Sequence, residues 1–166
     1  MTDENEKNLL QTYALLSRAA ARKKIYSLKA LKEDKPQTAH LLRALSESEA
    51  AQARRILNMI RGRIDPSESY LATIFEKEIA EILERYTEEI NNAKAAGLTN
   101  VVSVLTQLYD AEKKLHIFYG HDAQDSSGAE DDRYFVCQFC GYVCKSHPPD
   151  NCPVCSAKKE TFMEIQ

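Results

Sequence analysis

Apolar and small residues recur at helical spacing in four stretches before residue 120. In the first, Leu9, Tyr13, Leu16, Ala20 and Leu31 form a stripe from Asn8 to Leu31, between charged faces carrying Arg22, Lys23, Lys24 and Lys29. That stripe predicts a helix. Glu33-Asp34-Lys35-Pro36 reads as a stop and a restart, because proline fits the first turn of a helix and an acidic residue suits its N-terminus. A second helix is predicted from there to about Arg61. Its stripe is Leu42, Leu45, Glu49, Gln52, Ile56 and Met59, steps of three and four in unbroken alternation, with two polar members. Asp65-Pro66-Ser67-Glu68 repeats the start signal after Gly62. The third helix turns Leu71, Ile74, Phe75, Ile79, Ile82, Tyr86, Ile90 and Ala93 inward until Ala95-Ala96-Gly97 closes it with a glycine cap. A fourth begins near Thr99-Asn100 and aligns Val101, Leu105, Leu108, Glu112, Leu115 and Tyr119. Four helices on short loops predict an antiparallel four-helix bundle over residues 1–120.

The periodicity then stops. Residues 121–133, HDAQDSSGAEDDR, are acidic and small, the composition of an exposed linker. Residues 134–166 follow with alternating Tyr134 and Val136 and later Phe162 and Ile165, too few apolar residues to hold a core without a staple. All five cysteines of the chain fall here, between 137 and 155, which in an intracellular protein points to metal rather than disulfides. Cys137-Gln-Phe-Cys140 and Cys152-Pro-Val-Cys155 are two CxxC knuckles separated by 11 residues, the arrangement that presents four thiolates tetrahedrally to one ion. Cys144 cannot join without displacing a member of a pair, so it is read as spare. Thiolate ligands alone do not separate iron from zinc.

Composition narrows the partners. Hydrophobic residues make up 43% and charged residues 28%, which suits a packed core rather than a disordered chain. The formal charge is −3 and no Lys/Arg-rich run appears, so there is no basic field for nucleic acid. The polar N-terminus lacks a signal-peptide pattern and no stretch approaches 18 apolar residues, so a soluble cytoplasmic protein without a membrane partner is expected.

Carboxylates complicate the bundle. Glu49 and Glu112 lie on core stripes, and Glu78 and Glu81 flank the third stripe at i, i+3. Burying one unpaired would cost several kcal/mol, and a partly exposed position or an ion pair explains any single case. Four converging from three helices instead suggest a site for two metal ions, which helical bundles build from inward carboxylates.

Together, Asn8-Leu9-Leu10, Glu49 followed by Ala53-Arg54-Arg55, Glu78-x-x-Glu81 with Tyr86, Glu112, the linker and CxxCGY…CPxC resemble the rubrerythrin family along nearly the whole chain. The resemblance implies a ferritin-like di-iron bundle that reduces peroxide and a rubredoxin-like iron domain that feeds it electrons, with an external donor protein or reductase. It also implies a homodimer in which one subunit's four-cysteine iron lies near the other's bundle site, and it favours iron at Cys137, Cys140, Cys152 and Cys155. Ser156 stands where rubredoxins often have glycine.

Three bundle ligands depart from the family pattern. Leu16 aligns with a helix-one glutamate. The helix-two ExxH reads Glu49-Ala-Ala-Gln52, and an amide oxygen is a far weaker iron ligand than imidazole. In helix four the match reads Glu112-Lys-Lys-Leu115, with His116 one residue on and turned about 100° away. His40, His121 and His147 have no ligand-like spacing and are read as surface residues. Two functions follow. One is a rubrerythrin-type oxidoreductase with metal at Glu49, Glu78, Glu81 and Glu112. The other is a non-enzymatic electron-transfer or structural four-cysteine metalloprotein with an empty bundle site, in which little peroxidase activity is expected.

Overall fold

A computed structural model describes residues 2–61, 75–115, 118 and 133–165. Its helices are α1 (Asp3–Lys32), α2 (Pro36–Arg61), α3 (Phe75–Ala95) and α4 (Thr99–Leu115). Three short strands follow: β1 (Tyr134–Cys137), β2 (Val143–Lys145) and β3 (Phe162–Ile165), the last preceded by a single 3₁₀ turn at Lys159–Thr161. The expected fold class, four helices followed by a small four-cysteine domain, is present. The chain divides into two compact units, Met1–Ile64 and Asp65–Gln166. The expected linker lies outside the described residues except for Arg133, and so do His116, Tyr119 and the start signal at residues 65–68. No helix among the described residues is long and apolar enough to cross a membrane.

Helix ends follow local chemistry. α1 starts at Asp3, five residues before the expected Asn8, because the Thr2 side chain accepts from the Asn5 amide and Asp3, Glu4 and Glu6 complement the helix dipole. Gly97, at φ 69°, ends α3 as expected: the Leu98 N–H reaches back to the Ala93 carbonyl at 2.9 Å and the Gly97 N–H to Lys94 at 3.1 Å. Asp34, at φ 57°, ends α1 by the same pair of bonds, Lys35 to Ala30 and Asp34 to Leu31.

In the first unit, α1 and α2 form an antiparallel hairpin whose seam is made of small residues. Ala20, Ser27 and Ala30 are buried on α1, and Ala39, Ser46 and Ala53, each seven residues apart, on α2. Ser46 Oγ donates to the Ala20 carbonyl across the seam at 2.8 Å. The α1 stripe holds in part: Leu9, Tyr13 and Leu16 are half-buried and Ala20 is buried, but Leu31, expected inward, is 57% exposed while its neighbour Ala30 takes the seam. The α2 stripe does not. Leu42, Glu49 and Ile56 are half-buried, while Leu45 is 43% and Met59 61% exposed and Gln52 is exposed. Alanine and serine let two backbones approach closely, so the contact forms there and the leucine stripe falls to its flank.

In the second unit, α3 and α4 form another hairpin. Ile79 and Ala93 are buried on α3, with Ile82, Tyr86 and Ile90 half-buried between them, and Ala111 is buried on α4. The strands form an antiparallel sheet in the order β2-β1-β3, with Val136 opposite Val143 and Met163. Arg133 closes its edge by donating to both Glu164 oxygens, each at 2.6 Å, and its guanidinium lies over the Phe135 ring.

Candidate metal centre

Each CxxC segment folds into the same tight turn, because each makes the same backbone bonds. The Gly141 N–H donates to the Cys137 carbonyl and the Ser156 N–H to the Cys152 carbonyl, both at 2.9 Å. The Cys137 amide in turn donates to Tyr142 at 2.9 Å, and the Cys152 amide to Ala157 at 2.8 Å. Both turns need a left-handed residue after the second cysteine, Gly141 at φ 83° and Ser156 at φ 60°. Glycine occupies that region freely, whereas serine carries a Cβ penalty there. Ser156→Gly is therefore expected to stabilise the metal domain by about 0.5–1 kcal/mol, read as a higher denaturation midpoint of the metal-loaded protein.

The two turns face one another and bring the sulfurs of Cys137, Cys140, Cys152 and Cys155 within 4.8 Å of each other. Cys137 and Cys155 stand 3.7 Å apart, and Cys140 and Cys152 3.6 Å. A tetrahedral ion with metal–sulfur bonds of about 2.3 Å needs sulfur–sulfur edges of about 3.8 Å, so the cluster fits a single thiolate-bound metal. Its charge argues the same way. Burial pushes the Cys140 thiol up and raises that of Cys155, so four adjacent thiolates require a cation. Burial also opposes ionisation of Cys152, but N–H groups of Cys155 and Val154, with the Cys140 and Cys155 thiols, outweigh it and leave that thiol below the ordinary range. The Tyr142 amide serves Cys140 and the Ala157 amide serves Cys155.

Three of the ligands, Cys137, Cys140 and Cys152, share one buried cluster with Ala111 of α4. Tyr142, Val154, Ala157 and Phe162 pack around it, with Tyr142 and Phe162 edge to face at 6.4 Å between centroids. The sequence pattern marked Phe162 but passed over Ala111, which carries no signal beyond being small. Cys144 stands apart on β2, its thiol directed at the Phe135 and His147 carbonyls at 3.8 and 3.7 Å. Among the described residues these four cysteines are the one group placed to hold a metal.

Comparison with known proteins agrees with this geometry. Residues 135–163 match the rubrerythrin, rubredoxin-like domain family. Nigerythrin of Nitratidesulfovibrio vulgaris (strain Hildenborough) is 32% identical over 85 residues, a match spanning 51% of this chain and only 42% of nigerythrin. Rubrerythrin-2 of Clostridium acetobutylicum is 23% identical over 171 residues, covering 93% of this chain and 92% of its own. A solved structure of nigerythrin in a mixed-valence state covers 96% of this chain and 86% of its own, with a TM-score of 0.50 at 23% identity, a likeness of fold. Nearly the whole chain is thus similar to rubrerythrins, and its four-cysteine segment matches their rubredoxin-like domain.

Against the rubrerythrin ligand pattern, the helical carboxylates are placed unevenly. Glu49 belongs to the first unit, where Lys23 Nζ donates to its two oxygens at 2.6 and 2.7 Å. Periodicity had assigned Lys23 to a charged face, and nothing in the local sequence pairs it with a residue 26 positions away. In the second unit, Glu112 is half-buried and its carboxyl is raised, by burial first and by the Glu78 charge second. Tyr86 is raised in the same way, by burial first and then by the Glu112 charge. Glu81 is exposed. Gln52 points its amide at Ser48 Oγ, 3.4 Å away, and half-buried Leu16 and Leu115 offer no ligand atom. These donors do not fit the complete di-iron ligand set of a rubrerythrin.

Proposed function

We propose that this rubrerythrin-like chain is a one-electron carrier whose redox centre is an iron ion held by Cys137, Cys140, Cys152 and Cys155. The observation that carries this reading is the clustering of four buried or half-buried cysteine sulfurs within 4.8 Å of one another on two matched turns. Iron in that position supplies the electron. The chain supplies the rest: amide N–H groups directed at the Cys140, Cys152 and Cys155 sulfurs stabilise negative charge, and the Ala111–Tyr142–Phe162 packing limits water at the site. Protein purified from its native host is expected to be red when oxidised, to bleach with dithionite and to hold about one iron per chain. Colourless protein with stoichiometric zinc would refute the reading.

One observation favours a second reading, an oxidoreductase with metal in the helices. Burial and then the charge of Glu78 raise the Glu112 carboxyl, a repulsion that a divalent cation would relieve. A metal content near three per chain would support it, and peroxide would be the substrate by family likeness.

The family's homodimer is proposed here as well, with residues 121–133 as the tether between helices and metal domain and a cytoplasmic donor protein as reductant. Ile25, Leu28 and Leu41 expose half or more of their surface on the α1–α2 hairpin, apolar area that a second copy would cover. Sedimentation at micromolar concentration is expected to show a dimer; a monomer would contradict it.

A further inference from the structure

The contact between Lys23 and Glu49 is a cross-helix ion pair that electron transfer leaves unused. One ammonium faces both carboxylate oxygens, at 2.6 and 2.7 Å, and the side chains are only 29% and 24% exposed. The hairpin is locked in this register by the Ser46–Ala20 hydrogen bond and flanked by a looser pair, Lys24 to Glu47 at 4.0 Å. In the family pattern Glu49 is the helix-two ligand and Leu16 stands at the helix-one ligand. Lys23 lies seven residues beyond Leu16, hence on the same face of α1 and about 10 Å farther along it.

We propose that Lys23 is a built-in counter-ion for Glu49, standing in for the metal cation that this glutamate would otherwise bind. A carboxylate coordinates metal through the lone pairs that here accept from the ammonium. For Glu49 to take a divalent ion, both hydrogen bonds must break and the lysine must swing away from a cation that repels it. The chain has thus exchanged a conditional partner, present only when metal is available, for one that is always present. Partial burial makes the exchange necessary, since Glu49 without either cation would be a poorly solvated charge. Lys23 plays this part whichever ion the cysteines hold, so its failure and that of the four-cysteine reading are separate outcomes.

Two measurements on the full chain, with its four-cysteine site loaded, test this. In thermal melts followed by helical circular dichroism, Lys23→Met is expected to lower the midpoint by roughly 5 °C and Lys23→Met/Glu49→Leu to recover most of that loss, because removing both charges strands neither. A midpoint unchanged in the single variant, or no recovery in the double, would overturn the pairing. In titrations with Mn²⁺ alone, wild type and Glu49→Leu are expected to bind the same number of ions, since Glu49 is already occupied. Manganese bound by wild type and lost in Glu49→Leu would overturn the proposal, and this comparison holds even if Lys23→Met fails to fold.

Discussion

Cys152→Ala is expected to abolish metal binding and unfold residues 134–165 while leaving the α1–α2 hairpin helical. Cys152 is 2% exposed, anchors the second turn through both its amide and carbonyl, and has its sulfur 3.6 Å from that of Cys140. Strands of four, three and four residues cannot hold this segment by burial alone. Structural metal in such domains contributes on the order of 10 kcal/mol of folding free energy, so loss of a ligand exceeds anything the sheet can offset. The loss should appear as absent colour, absent metal and disappearance of the metal domain's resistance to protease. Cys144→Ala supplies the contrast. Its thiol makes only two long contacts to carbonyls, so colour should be retained with a cost of about 1 kcal/mol or less. A colourless Cys144 variant, or a red Cys152 variant, would overturn the ligand assignment.

Peroxide reduction by the unaltered protein is expected to be at least about 100-fold slower than by a rubrerythrin with its full ligand set, since losing even supporting groups of a metal site commonly costs 10–100-fold. Here three ligand positions hold Leu16, Gln52 and Leu115, and Glu49 is engaged by Lys23. Leu16→Glu, Gln52→His and Leu115→His together should raise helical iron content, and adding Lys23→Met should raise it further. No single change should do much. Leu16→Glu alone places a charge at a half-buried position without a metal to neutralise it, so it should lower stability instead. Elemental analysis and peroxide consumption with a supplied reductant read both outcomes. Rapid turnover by the wild-type protein would show that the missing ligands were replaced from elsewhere.

Features that depend on near neighbours were legible in the chain alone. Pro36 and Gly97 mark helix ends because proline and left-handed glycine act on their own turn of backbone, and the CxxC pairs specify their metal turns because two residues are the span such a turn requires. The Thr2 cap was equally local and available. Family likeness extended this reading to the whole chain and singled out Leu16, Gln52 and Leu115 as departures. Which faces meet depends instead on how whole helices pack. The α1–α2 seam runs through Ala39, Ser46 and Ala53 rather than through the leucine stripe, because close approach of two backbones favours small side chains that a hydrophobic pattern ranks low. Ser156 proved to need the left-handed conformation that glycine would mark. Lys23 meets Glu49 for the same kind of reason: each residue turns a helix by about 100°, so the rotation and register of two helices together decide whether charges 26 positions apart face solvent or each other.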